Sequence, residues 1–137
     1  MSEKKSGYIL ENLPIDIHAY RFYDMHNETC DAWIAHRKEY TVTITPEYLD
    51  LNILDLRGIG LPTAYALQSV TSWGQQATQN RRTKYLYAII TTPGFLYDLA
   101  RVSSSAASLW RKDEPMKVFI DEQEAIHWLI TTAPTIK

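Results

Sequence analysis

Three times in 137 residues a short apolar run rich in strand formers gives way to a turn and then to an amphipathic helical stretch. The strand candidates are residues 49–56, 84–90 and 116–120, and helices are predicted over 63–80, 94–110 and 121–131. Strands that alternate with helices of this length are joined most simply by crossovers, which sets the strands parallel and lays helices over the sheet. The expected fold class is therefore α/β, with one short, mainly parallel sheet. A single domain is expected over 1–137, with the polar residues 1–6 disordered. In such a sheet the binding loops gather at the carboxyl ends of the strands.

The periodicities place each element. Leu51, Ile53, Leu54 and Leu56 make a nearly continuous apolar strand, as expected when both faces are covered. Ile53, Leu54, Ile89, Ile90, Val118 and Phe119 are expected to share one core. Ala66, Val70, Trp73 and Ala77 form one helical stripe, and Phe95, Leu99, Val102, Ala106 and Leu109 form a second. Asp121 followed by Glu124 is a capping-box arrangement that opens the last helix. Upstream, residues 18–25 read as the first strand of the main sheet and 8–10 as a short edge strand. Residues 28–45 admit two readings. Cys30, Trp33, Ile34, Arg37 and Tyr40 recur at helical spacing after Asn27, a capping residue, which places a helix over 28–40 and an extended connection ending at Pro46. The β-branched run within 40–45 allows a β-hairpin instead.

Composition narrows the function classes. The chain is 45% hydrophobic and 22% charged, ordinary for a soluble globular protein, and its formal net charge of -2 gives no field for nucleic acid or an acidic membrane. The local basic group Arg81-Arg82-Thr83-Lys84 suits a helix C-terminus. Cys30 stands alone, so no intrachain disulfide forms, which fits a reducing compartment. The N-terminus lacks the apolar core of a signal peptide and no apolar run approaches a membrane span, so a cytoplasmic protein without membrane insertion is expected. Nine tyrosines and four tryptophans are more than a core of this size hides, so some should line a pocket or a partner surface. With little charge repulsion between copies, a homodimer is the expected assembly.

The chemistry-bearing loops follow the inferred strands. Arg57-Gly58-Ile59-Gly60 precedes a helix capped by Thr63, and Thr91-Thr92-Pro93-Gly94 precedes the next. Helix N-termini offer unpaired N–H groups and partial positive charge, so both turns are candidate anion sites, with Arg57 adding a fork of donors. The candidate ligand residues are Arg57, Gly58, Gly60, Thr63, Thr91, Thr92, Gly94 and Tyr97, the last covering the apolar part of a small anionic or amphipathic ligand. The plainer reading is that both turns only connect strand to helix. Neither matches a phosphate-binding fingerprint. His26, Cys30 and Asp31 lack further ligands at metal spacing, and Cys30 on an apolar stripe reads as a small buried hydrophobe. No nucleophile elbow occurs. No catalytic residue, metal or cofactor is therefore assigned.

Two stretches resemble a known family. Leu54-Asp55-Leu56-Arg57-Gly58 before a helix is similar to the central strand and turn of STAS domains. The ending Val118-Phe119-Ile120-Asp121-Glu122-Gln123-Glu124-Ala125-Ile126-His127-Trp128-Leu129 resembles that of the SpoIIAA-like branch. The resemblance spans about residues 49–131. It implies helices packed mostly on one side of the short sheet, and a non-enzymatic regulatory or ligand-binding role, often exercised through a protein partner. The family's antagonists carry a phosphorylatable serine at the start of the helix after this turn. The corresponding stretch here is Thr63-Ala64-Tyr65-Ala66, so that serine is missing. The competing class is a small enzyme acting on a nucleotide or acyl substrate at the same edge. A serine, cysteine or histidine beside Arg57 would favour the enzyme.

Overall fold

The computed structural model describes residues 2–4, 7–44, 48–59, 65, 68–69, 72–73, 84–94 and 116–135. Six strands form one sheet in the order of the chain: β1 (Ser2–Lys4), β2 (Tyr8–Leu13), β3 (Ile17–Phe22), β4 (Leu49–Asp55), β5 (Lys84–Ile90) and β6 (Met116–Phe119). β3 through β6 run parallel, in register pairs such as Ile53↔Ala88 and Ile90↔Phe119. β1 and β2 add an antiparallel flank, with Leu13↔Ile17 closing the turn into β3. The sheet is thus mixed, its parallel part being the three predicted strands joined by β3. Ser2–Lys4 pairs with β2, although polarity alone suggests a frayed terminus.

Residues 28–41 fold as helix, not hairpin. α1 spans Asn27–Thr41, and its buried residues Thr29, Cys30, Trp33 and Arg37 define one face. Helical periodicity outweighs the β-branched run, because burying that face is worth more than the modest strand preference of three or four residues. Asn27 is the first helical residue rather than the cap, which falls at His26 and makes no side-chain cap bond. Asp24 braces the start instead, accepting from the His26 N–H at 3.1 Å and the Thr29 hydroxyl at 2.5 Å. The final helix, α2, spans Glu122–Thr132, and Asp121 caps it by accepting from the Glu124 N–H at 3.0 Å. Tyr65, Gln68, Ser69, Ser72 and Trp73 are helical, while most of the predicted helix over 63–80 and nearly all of that over 94–110 lie outside the described residues.

The strand pleat sends alternate residues to opposite faces and builds two cores. Ile17, Ala19, Leu51, Ile53, Leu86, Ala88 and Ile90 meet Ala125 and Leu129 of α2. Tyr8, Tyr20, Phe22, Tyr85 and Tyr87 meet Trp33 of α1, with Trp73 packed against them. Leu54 belongs with this aromatic face and Ile53 with the aliphatic one, so the single core expected for the six residues named above is corrected to two. Among the described helices, α1 and Trp73 share one face and α2 covers the other, which refines the expectation of helices gathered mostly on one side.

Candidate functional site

The carboxyl ends of β3 to β6 lie side by side. The Leu56 N–H donates to the Ile90 carbonyl at 2.8 Å, and the Thr91 N–H to the Phe119 carbonyl at 3.0 Å. Asp55 is the last residue of β4 and stands opposite Arg21 of β3. That pairing seeds a cluster of five charges. Arg21 donates from Nε to Glu11 at 2.7 Å and from Nη1 to Asp55 at 2.9 Å. It also grips Glu122 with both terminal nitrogens, at 2.8 and 3.2 Å. Arg57 donates from Nε and Nη2 to the two oxygens of Asp55, each at 2.9 Å, and from Nη2 to Glu122 at 3.0 Å.

Two guanidinium groups therefore answer three carboxylates, and Glu122 bridges both arginines from the first turn of α2. Glu122 is held below the ordinary carboxylate range, chiefly by the Arg21 hydrogen bonds. Burial would raise the Asp55 carboxyl, but the side-chain and backbone bonds from Arg57, with Arg21, outweigh it and hold it low. Tyr23, just beyond β3, and Ile120, just beyond β6, are exposed large side chains at the same end of the sheet.

The predicted ligand residues divide unevenly. Arg57 is present at the edge, half-exposed, with its Nε and Nη2 donors already engaged by Asp55 and Glu122. Gly58 serves packing: a Cβ there would lie 2.9 Å from the Phe22 carbonyl oxygen, so the turn after β4 can approach β3 only without a side chain. Thr91 is fully buried, its hydroxyl without a partner among the described residues, whereas Thr92 and Gly94 face solvent. Gly94 has φ +107°, where an L side chain is strained. Gly60, Thr63 and Tyr97 lie outside the described residues.

A second polar cluster, not foreseen from sequence, is buried under α1. Arg37 is 1% exposed, Asp50 and Asn52 0%. The Arg37 Nη2 donates to Asp50 Oδ2, and Nη1 donates to the Tyr20 hydroxyl at 3.0 Å and to Asn52 Oδ1 at 3.3 Å. His18 Nδ1 lies 3.3 Å from the other Asp50 oxygen. Burial would raise the Asp50 carboxyl; the His18 bond and the charge and bonds of Arg37 reverse that and hold it low. The signal was available: Asp50 and Asn52 are two apart in an apolar strand, and Arg37 sits on the same stripe as Trp33 and Cys30. Buried polar residues of this kind need partners, but which groups meet is fixed only by the strand order.

Elsewhere the surface carries less. A shallow groove of about 420 Å³ runs between β6 and α2, where the Phe119 and Trp128 rings are 5.7 Å apart and Lys117 and Glu124 supply charges of opposite sign beside His127. Cys30 is buried, and burial pushes its thiol up to about 11, which keeps it protonated and poorly nucleophilic at neutral pH. His26 is exposed while Cys30 is buried, and among the described residues no group of three or more His, Cys, Asp or Glu side chains could hold a metal ion. Among those residues, too, no helix is long and apolar enough to cross a membrane.

No family model and no curated protein matches the chain. A solved structure does: a DUF3478-family protein from Shewanella loihica PV-4, described as having a SpoIIAA-like fold. It superposes with a TM-score of 0.62 over 94% of this chain and 98% of that one, at 18% sequence identity. At that identity the shared property is the fold. The chain is an α/β protein with a SpoIIAA-like fold, as the ending of its sequence suggested.

Proposed function

We propose that this chain is a non-enzymatic regulatory or ligand-binding module of STAS-like type, working through the carboxyl edge of its sheet without the phosphorylatable serine of the family's antagonists. One observation carries the reading: Arg21 and Arg57 together clamp the Glu122 carboxylate. A carboxylate held bidentately by one arginine and touched by a second is bound as a ligand's carboxylate or phosphate would be. Glu122 is an internal occupant that an incoming anion replaces, while Tyr23 and Ile120 offer apolar contact on either side. The ligand class is a small anionic or amphipathic molecule, or a partner segment of that character. A homodimer and a cytoplasmic location complete the proposal. The described partners of Arg57 are both carboxylates, which supports the module over the enzyme acting at the same edge.

The test is calorimetric titration with inorganic phosphate of the parent, Glu122→Gln and Arg57→Ala. Glu122→Gln keeps the Asp121 cap and weakens the internal competitor, so phosphate should bind it about tenfold more tightly than the parent, the worth of a charged hydrogen bond of ~1.5 kcal/mol. Arg57→Ala should bind more weakly than the parent. Equal affinity in all three, or no binding to any, defeats this reading of the edge.

A further inference from the structure

Three side chains in mutual contact beneath α1 each carry a polar atom without a hydrogen-bond partner among the described residues. The atoms are Trp33 Nε1, Arg37 Nε and the Tyr87 hydroxyl, on side chains that are 2%, 1% and 1% exposed. Trp33 and Arg37 are four residues apart on α1, so both project from one face toward the sheet. The Trp33 ring centroid is 6.5 Å from that of Tyr87, and the Arg37 guanidinium carbon is 5.6 Å from the same ring. Trp73 closes the wall, its ring 4.9 Å from Trp33 and 5.9 Å from Tyr87. A fourth orphan, the Thr91 hydroxyl, stands apart beyond the end of β5.

A buried N–H left unmatched is costly, and three orphan groups in one patch of a folded protein call for a common partner. The chemistry of the three defines it. The indole and guanidinium N–H groups only donate, and the tyrosine hydroxyl donates as readily as it accepts. The guest must therefore accept hydrogen bonds. It need not be charged, because Arg37 is already answered by Asp50.

We propose that Trp33, Arg37 and Tyr87 form a buried binding site for a neutral acceptor oxygen, supplied either by an ordered water molecule or by the carbonyl or hydroxyl group of a small guest. This site is on the aromatic face and is independent of the carboxyl edge. It also gives the aromatic excess a purpose, since rings wall off the oxygen without competing for its lone pairs.

The sign of a stability change tests it. Tyr87→Phe deletes only the hydroxyl. In a dry site that deletion relieves a buried unmet group, and the variant unfolds at higher urea than the parent. With a bound oxygen it removes a bond, and the unfolding equilibrium constant rises about five- to tenfold. Trp33→Phe is the second variant and is read against Trp73→Phe, which has comparable ring loss without the orphan N–H. Native mass spectrometry of the purified full chain then separates the sources. A persistent added mass identifies an organic guest, and its absence together with a long-lived water in oxygen-17 relaxation dispersion identifies water. Stabilisation by Tyr87→Phe, or neither a guest mass nor a long-lived water, overturns the proposal.

Discussion

At the scale of single residues, the consequential pair is Arg37 and Asp50. Each is buried, so removing one partner strands a charge in a low-dielectric interior. Asp50→Ala should lower stability by about 3–5 kcal/mol, whereas the double replacement Arg37→Met with Asp50→Leu should cost less than either single change. Chemical denaturation of the three variants decides it; additive losses would mean the pair is not coupled. The same carboxylate makes stability depend on pH. Asp50, Asp55 and Glu122 all titrate below their ordinary range in the folded chain, so the folded state favours their deprotonated forms. Their contribution is present above about pH 4, the unfolded value, and is lost as the pH falls through the folded values. The melting midpoint should be nearly flat from pH 7 to about 5 and fall below about 4. A midpoint that rises on acidification contradicts the assignment.

At the scale of elements, the pleat makes neighbouring residues behave differently. Ile53 is 0% exposed on the aliphatic face, while Leu54, half-buried, points to the aromatic face. Ile53→Ala should cost about 2–5 kcal/mol, and Leu54→Ala less, as read by urea unfolding. If Leu54 costs as much as Ile53, the two-core arrangement is wrong. This division also marks how far the sequence could be read. The strands over 49–56, 84–90 and 116–120 and the final helix were visible because hydrophobic periodicity and the Asp121 cap are local signals. α1 was visible as one of two readings. The pairing of Arg37 with Asp50 and of Arg21 with Glu122 was not, because those partners lie 13 and 101 residues apart and meet only once the strand order is known. Arg57 was correctly placed at the edge by its turn, yet its occupation by carboxylates is a tertiary fact. Gly58 looked like a ligand cradle but is required by the close approach of the Phe22 backbone.

At the scale of the whole molecule, the parallel strands put Tyr23, Arg57, Thr92 and Ile120 on one end of the sheet, and the buried Arg37 network lies within the aromatic face. In the proposed reading, recognition and rigidity are separated. The buried pair and the two cores hold the frame, and the edge is joined by partly buried ion pairs around Asp55 and Glu122. On that reading, the Glu122 carboxylate is the group that an external anion replaces. The most direct measurement is amide chemical-shift mapping of the Glu122→Gln chain during titration with inorganic phosphate. Shifts should concentrate at Arg21, Tyr23, Arg57, Gly58 and the first turn of α2, and leave the amides of Trp33, Arg37 and Tyr87 unmoved. Saturable shifts centred on any other part of the molecule, or no saturable shifts, would contradict the carboxyl edge as the site through which this module acts.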